Sequence, residues 1–363
     1  MKTEEDKKKQ ERRDHRKRNR LRNKRKSDAI VEDVLVRFLE ILKRETFCAD
    51  LSQNGDRFEA LKAFRDVYQA HTNHNAKNSI DWASFPAHAD PVACIGTLKK
   101  TAKARGLRKR KQIEQIYQLL KSRAVLDVDD KQRKKIVDFG CGTGNLLLAL
   151  AYLFPEHDFV GIDLKDTSIR LLNERIKKTR MTNVRAQVSL IEQFDEEFDV
   201  ALALHVCGNA TDVVLSICVE KKKSFVCVPC CVGKVQVNGH RSVEDMRNKL
   251  MDPAIVYEAT TTVEDRAMKM IRYPRSALMR SICDEKTFMN VAKLADWSGN
   301  ESISAYEDSS HLVLPTKAKE AVEIDRAQRC KEKGYEGAIS LIKLDECGLR
   351  NDLILGIIDP LRS

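Results

Sequence analysis

Asp138-Phe-Gly-Cys-Gly-Thr-Gly144 sets three glycines on alternate positions, with an acidic residue two places before the first. Glycines let a backbone turn tightly and approach a ligand with no Cβ in the way. A helix starting at Asn145 would aim its first amides at the same point. A dinucleotide loop wants glycines at its first, third and sixth positions. Counted from Gly140, the third glycine falls on the fifth position, and Asn145 is the sixth. That spacing suits the methionine part and ribose of S-adenosylmethionine, which has no pyrophosphate. Asp138 can accept from the ligand's cationic amino group, directly or through a water. Asp163 closes a second apolar run, Phe159-Val-Gly-Ile162. A carboxylate there can take both ribose hydroxyls, a charge-assisted contact of roughly 1.5–3 kcal/mol. Gly140, Gly142, Gly144 and Asp163, with Asp138, Cys141, Leu164, Ser189 and Leu204, make up the expected cofactor lining.

Two further clusters could carry chemistry. In Leu204-His205-Val-Cys207-Gly208-Asn-Ala-Thr211-Asp212, His205 could serve as a general base or bind substrate, or be a hydrogen-bonded structural group. Thr211 or Asp212 reads as a helix cap. In Cys227-Val-Pro229-Cys230-Cys231-Val-Gly-Lys234, three readings compete. The thiols could be metal ligands completed by Cys207 or His205, Cys230 could be a nucleophilic thiolate, or all could line a pocket wall. No second Cys-x-x-Cys accompanies the first, so lining thiols and no bound metal are the expectation. His205 and Cys230 stand as the catalytic candidates.

Elements that could position these groups follow from periodicity. Short apolar runs at 136–139, 159–162, 184–188, 199–204 and 225–228 alternate with helical stretches at 145–153, 166–178 and 211–219. Strands alternating with helices at this pace predict a parallel sheet with right-handed crossovers. Two later strands, 338–344 and 353–358, have no helix between them and predict an antiparallel pair at a sheet edge. Helices are expected at 284–295 and 317–333, after a long polar insertion at about 236–280. Ahead of the sheet, Ile30, Val34, Leu35, Phe38, Leu39 and Leu42 recur at helical spacing. A second helix is expected at 56–71 and a loop at 72–91. A basic segment, Lys99 to Lys111, leads into an amphipathic helix carrying Ile113, Ile116, Tyr117 and Leu120. The chain thus divides into a basic tail (1–28), a helical N-terminal region (29–130) and an α/β domain (131–363).

Charge is concentrated at one end. Residues 1–26 hold fourteen Lys/Arg against five Asp/Glu, a net of +9 of the chain's +11. Such a run cannot bury apolar surface and is expected to be disordered alone, serving as a nuclear address, an RNA-binding arm or a plain solvated tail. The chain opens on charges rather than an apolar leader, no stretch approaches the length needed to span a bilayer, and its eleven cysteines are odd in number. These features point to a soluble protein of a reducing compartment, the cytoplasm, with nuclear localisation through the basic run as a second address.

The glycine loop, His205–Asp212 and Val228–Lys234 together resemble the methyltransferase domain of the glutathione S-transferase C-terminal domain-containing protein family. Tyr273-Pro-Arg-Ser276, Ile324-Asp-Arg-Ala-Gln328 and Asn351-Asp-Leu-Ile-Leu-Gly356 carry the same resemblance, in the same order, from about Arg108 to the C-terminus. A more distant likeness links the paired cysteines and His-x-Cys-Gly to a tRNA ribose 2′-O-methyltransferase family. The resemblance implies a class I, Rossmann-like methyltransferase fold: a seven-stranded, mostly parallel sheet of order 3-2-1-4-5-7-6 with an antiparallel last strand, plus the helical N-terminal extension. It implies cofactor contacts at Gly140, Gly142, Gly144 and Asp163. Two departures stand out. The N-terminal half holds no transferase-like domain, so glutathione chemistry is not carried over, and Ser189 occupies the place after the third strand where many relatives put an acid near adenine. The expected function is S-adenosylmethionine-dependent methylation of RNA, with tRNA one candidate, through the tail and the Lys99–Lys111 cluster. A catalytically inactive fold that binds RNA or protein is the rival. A nicotinamide-dependent oxidoreductase is disfavoured by the glycine spacing, and adenine N6 methylation by the lack of an Asn/Asp-Pro-Pro-Tyr motif after strand four.

Overall fold

The computed structural model describes residues 26, 28–38, 80–95, 100–126, 132–232, 271–296, 310–335, 338–344 and 352–358. The basic run before Lys26, the helix expected at 56–71 and most of the 236–280 insertion lie outside the described residues.

Seven strands form one sheet: β1 (Lys135–Phe139), β2 (Asp158–Asp163), β3 (Val184–Val188), β4 (Val200–Leu204), β5 (Ser224–Val228), β6 (Ile339–Lys343) and β7 (Asp352–Gly356), in the order β3-β2-β1-β4-β5-β7-β6. The first five pair in parallel, and β7 runs antiparallel between β5 and β6. Strands β6 and β7 are the antiparallel pair at a sheet edge expected from sequence, with β6 outermost. Side chains alternate across the sheet: Phe225 and Cys227 of β5 enter one core, Val226 and Val228 the other. Both faces are covered, which is why these strands are continuous apolar runs.

Helices follow the strands closely. α1 covers residues 28–38 and α2 spans Lys100–Ser122. Next come α3 (Asn145–Leu153), α4 (Asp166–Thr179) and α5 (Asn209–Lys221). The last three are α6 (Ala277–Ile282), α7 (Glu285–Ala295) and α8 (Ser310–Cys330). The basic segment expected to precede a helix is itself the first half of α2. α8 begins seven residues before the expected start and carries Pro315 as its sixth residue, where the missing N–H removes one intrahelical hydrogen bond early in the helix. In α1, Val31 rather than Ile30 faces inward. Ile30 is 51% exposed, while Val31, Val34, Leu35 and Phe38 are buried.

The N-terminal elements are integral to both cores. α1 contributes its apolar face to the core shared with α5, α6, α7 and α8. On the opposite face, α2 and the strap at 80–95 supply Ile80, Phe85, Ala89, Ile113, Ile116 and Leu120 to the core beneath α3. The strap is tied down by Asp90, whose carboxylate accepts from the Val92 and Ala93 amides and pairs with Arg110 of α2. Burial pushes the Asp90 carboxyl upward, but Arg110 and the amides outweigh it and leave it below the usual range. Among the described residues no helix is long and apolar enough to cross a membrane.

Candidate active site

The carboxyl ends of β1, β2, β4 and β5 face one crevice, at the point where strand order reverses from β1 toward β4. Strand β1 delivers Asp138 and the glycine turn. Gly140, Gly142 and Gly144 all have positive φ (71°, 55° and 79°). The Gly140 and Cys141 amides donate to the Ile162 carbonyl of β2, closing the turn at 2.8 and 3.0 Å. Asp163 then reaches back: Oδ2 accepts from the Gly142 amide at 2.9 Å, and Oδ1 from the Lys165 amide at 2.8 Å. Each carboxylate oxygen keeps a second lone pair for a ligand.

Asp138 is buried, and its carboxyl makes no hydrogen bond among the described residues. Burial, and then the nearby Asp163 charge, push it well above the ordinary carboxylate range. A cation in the crevice would relieve both penalties. A Cβ added at Gly142 would meet nothing within 4 Å, so the turn borders open space. Together these features fit an amino acid sulfonium with a ribose: a cationic end for Asp138, a bare backbone to lie against, and an acceptor at Asp163.

Each expected lining residue is placed by the fold. Ser189 lies at the end of β3, with its amide on the Asp163 carbonyl at 3.2 Å and its hydroxyl donating to the Leu190 carbonyl. Leu164 and Leu204 are half-buried at the ends of β2 and β4. The Cys141 thiol packs against Gly161, where it would lie 2.8 Å from an added Cβ. Burial, Asp138 and Asp163 push that thiol well up, which leaves it inert as a nucleophile.

His205 follows β4 with a left-handed φ of 65°, uncommon for a residue with a Cβ. Its Nε2 lies 3.2 Å from Gln112 Oε1, so α2 crosses the chain by 93 residues to orient the ring. Its amide donates to Val228 O, and the Gly208 amide to Cys231 O. The β4–β5 ladder thus continues beyond the strand ends and holds the two loops side by side. Cys230 is buried in the second loop, its thiol against Cys207. Cys227, three residues earlier and within β5, is buried in the core and is not among the thiols that converge with Cys230, so the Cys-x-x-Cys pair does not share a site.

Two contributions had no local signal in the sequence. Arg175 of α4 donates to the Thr143 carbonyl and Asn145 Oδ1 of the cofactor loop and to the His88 carbonyl of the strap, fastening the strap over the loop. Behind α5, Asp212 accepts from Arg326 and Tyr273, and Arg275 lies 3.3 Å from it. Burial raises the Asp212 carboxyl, yet Arg326 and Arg275 outweigh that and hold it low. Ser276 caps α6 and, with the Arg275 amide, donates to Asp325. The Tyr273–Ser276 and Ile324–Gln328 motifs are thus halves of one buried ionic frame beneath the 205–212 loop. Asp212 is part of that frame, and Thr211 donates to the Val206 carbonyl.

Residues 108–238 match a family model described as a methyltransferase domain. A glutathione S-transferase C-terminal domain-containing protein homolog of Drosophila melanogaster is 27% identical over 278 residues, 76% of this chain and 40% of the relative. The Homo sapiens glutathione S-transferase C-terminal domain-containing protein is 23% identical over 279 residues, 77% of this chain and 37% of the relative. The chain therefore spans about two fifths of the length of these curated relatives. A tRNA (guanine-N(7)-)-methyltransferase of Dictyostelium discoideum is 42% identical over 55 residues, 15% of this chain and 20% of the relative. Among solved structures, a magnesium protoporphyrin IX methyltransferase of Synechocystis with bound SAH is similar at 14% identity, covering 38% of this chain and 64% of that one, with a TM-score of 0.32.

Proposed function

With a class I, Rossmann-like methyltransferase domain as premise, related to that of the glutathione S-transferase C-terminal domain-containing proteins, we propose that this chain is an S-adenosylmethionine-dependent RNA methyltransferase. The observation that carries the cofactor assignment is the meeting of two carboxyls, Asp138 and Asp163, at a bare glycine turn. S-adenosylmethionine, when bound, supplies an electrophilic methyl group on a sulfonium. Asp163 would take the ribose hydroxyls, Asp138 the cationic amino group, and the half-buried Leu164, Ser189 and Leu204 the flanking surfaces. The protein's further contribution is proximity and alignment of an acceptor on the β4–β5 side, where His205 stands ready to receive a proton.

Support for RNA as the acceptor comes from charge placement. Lys103, Arg105, Arg108 and Lys111 are exposed on α2, the helix whose Gln112 contacts His205. Phosphates neutralised along α2 would lead a strand toward the crevice. The short match to a tRNA methyltransferase makes tRNA the first substrate to try.

Calorimetry with S-adenosylmethionine tests the cofactor reading, and transfer of labelled methyl to total RNA, with a protein extract in parallel, tests the acceptor. Heat of binding in the intact chain, abolished in Asp163→Ala, is expected. Binding without transfer to any RNA would favour a non-catalytic module, and label in protein alone would refute RNA as acceptor.

A further inference from the structure

The two loops that continue β4 and β5 bring together side chains that the cofactor reading leaves unused. Cys207, Cys230 and Cys231 place their three sulfurs within 4.8 Å of one another. Cys207 Sγ is 2.8 Å from Cys230 Sγ, and Cys230 Sγ is 4.0 Å from Cys231 Sγ. Cys207 and Cys230 also converge on one backbone oxygen, that of His205, at 3.4 and 3.7 Å. The arrangement is built into the fold: the Gly208 amide on Cys231 O fixes the loops' register, and Gly208 itself takes a positive φ.

We propose that Cys207, Cys230 and Cys231 form a trithiolate binding site for a zinc ion on the substrate side of the crevice. A disulfide would consume two of the sulfurs and give the third no reason to converge. Thiolates are soft ligands that select zinc among the common divalent ions. Three protein ligands leave one tetrahedral position for water or a donor atom of substrate, the composition of catalytic rather than structural zinc sites. Binding is balanced by release of three thiol protons, giving a centre of net charge −1. The sequence offers Cys207 or His205 to complete the paired cysteines; the adjacency of β4 and β5 selects Cys207, while Cys227 is buried in the core.

The test uses the full chain, purified without chelator from zinc-supplemented cells. Elemental analysis should find one zinc per chain. Replacement by cobalt(II) should give an intense thiolate-to-cobalt charge-transfer band in the near ultraviolet. Alkylation followed by peptide mass spectrometry needs no variant: zinc should protect Cys207, Cys230 and Cys231 and leave Cys94 reactive. Zinc-free protein with no cobalt band, protection mapping to other cysteines, or a Cys207–Cys230 disulfide in zinc-treated protein would each overturn the proposal. The site is independent of the cofactor, so Asp163→Ala should lose S-adenosylmethionine binding and keep its zinc. Cys231→Ala should do the reverse.

Discussion

Gly142 and Gly144 look alike in sequence, and the structure separates them sharply. Both have positive φ, so alanine at either pays a conformational cost of about 1 kcal/mol. At Gly142 the new Cβ meets nothing within 4 Å, whereas at Gly144 it would lie 2.2 Å from Cδ1 of Leu172, a fully buried side chain of α4. Overpacking of that kind adds about 1–3 kcal/mol. Gly144→Ala should therefore lose about 2–4 kcal/mol of stability in urea denaturation, and Gly142→Ala only about 1 kcal/mol. Binding should show the opposite order of severity for its stability cost. The Gly142 methyl projects into the crevice where the ligand must approach backbone, so affinity for S-adenosylmethionine should fall at least about tenfold, or about 1.4 kcal/mol. Calorimetry and denaturation on the same two proteins give all four numbers. If Gly142→Ala binds as tightly as the parent, the ligand does not lie against this turn and the cofactor assignment fails.

Other expectations follow from the same geometry. Asp163→Asn keeps an acceptor for only one of the Gly142 and Lys165 amides, turns an NH2 toward the other and loses the charge, and should weaken S-adenosylmethionine binding by about 1.5–3 kcal/mol while costing about 1–3 kcal/mol in urea denaturation. Arg326→Met strands Asp212 and Glu323 in the core and should cost about 3–5 kcal/mol in chemical denaturation. Burial holds Lys319 at about 8, below an ordinary lysine. The folded chain then gives up that proton first and the unfolded chain binds more between pH 8 and the normal lysine value. Stability from this group should rise with pH through that window, and Lys319→Met should flatten the rise in urea midpoints. Replacing Lys103, Arg105, Arg108 and Lys111 with serine should weaken RNA binding and make its salt dependence shallower, each lost phosphate contact lowering the slope by about 0.9 or less. An unchanged salt slope would remove α2 from the RNA path.

The parts legible in the sequence are those set by local rules. Glycine spacing and short apolar runs gave the β1–α3–β2 boundaries to within a residue or so, because a strand buried on both faces has no polar alternation to blur its ends. The full strand order rested on resemblance, since nothing local says that β7 inserts between β5 and β6. Contacts across large separations were invisible. Gln112 on His205, Arg175 on His88 and Arg326 on Asp212 join residues 93, 87 and 114 positions apart. Each of these side chains reads as an ordinary polar residue on a helix. The thiol cluster was legible as a set of candidates, Cys230 and Cys231 with Cys207 or His205 to complete them, but the choice of Cys207 and the exclusion of Cys227 come from β4 and β5 being neighbours in the sheet.

The stretch recognisable as a methyltransferase domain, 108–238, is shorter than anything this architecture would let stand alone. Cut there, β5 would present its bare backbone edge, with Phe225 and Cys227 stripped of the cover that β7 and α8 provide. Upstream, the loss of α1 and the strap would open a wound on each side of the sheet. Such an excised piece should aggregate by edge pairing rather than bind cofactor. The stretch that matches the family model and the stretch that closes both cores are, in this molecule, different lengths of chain.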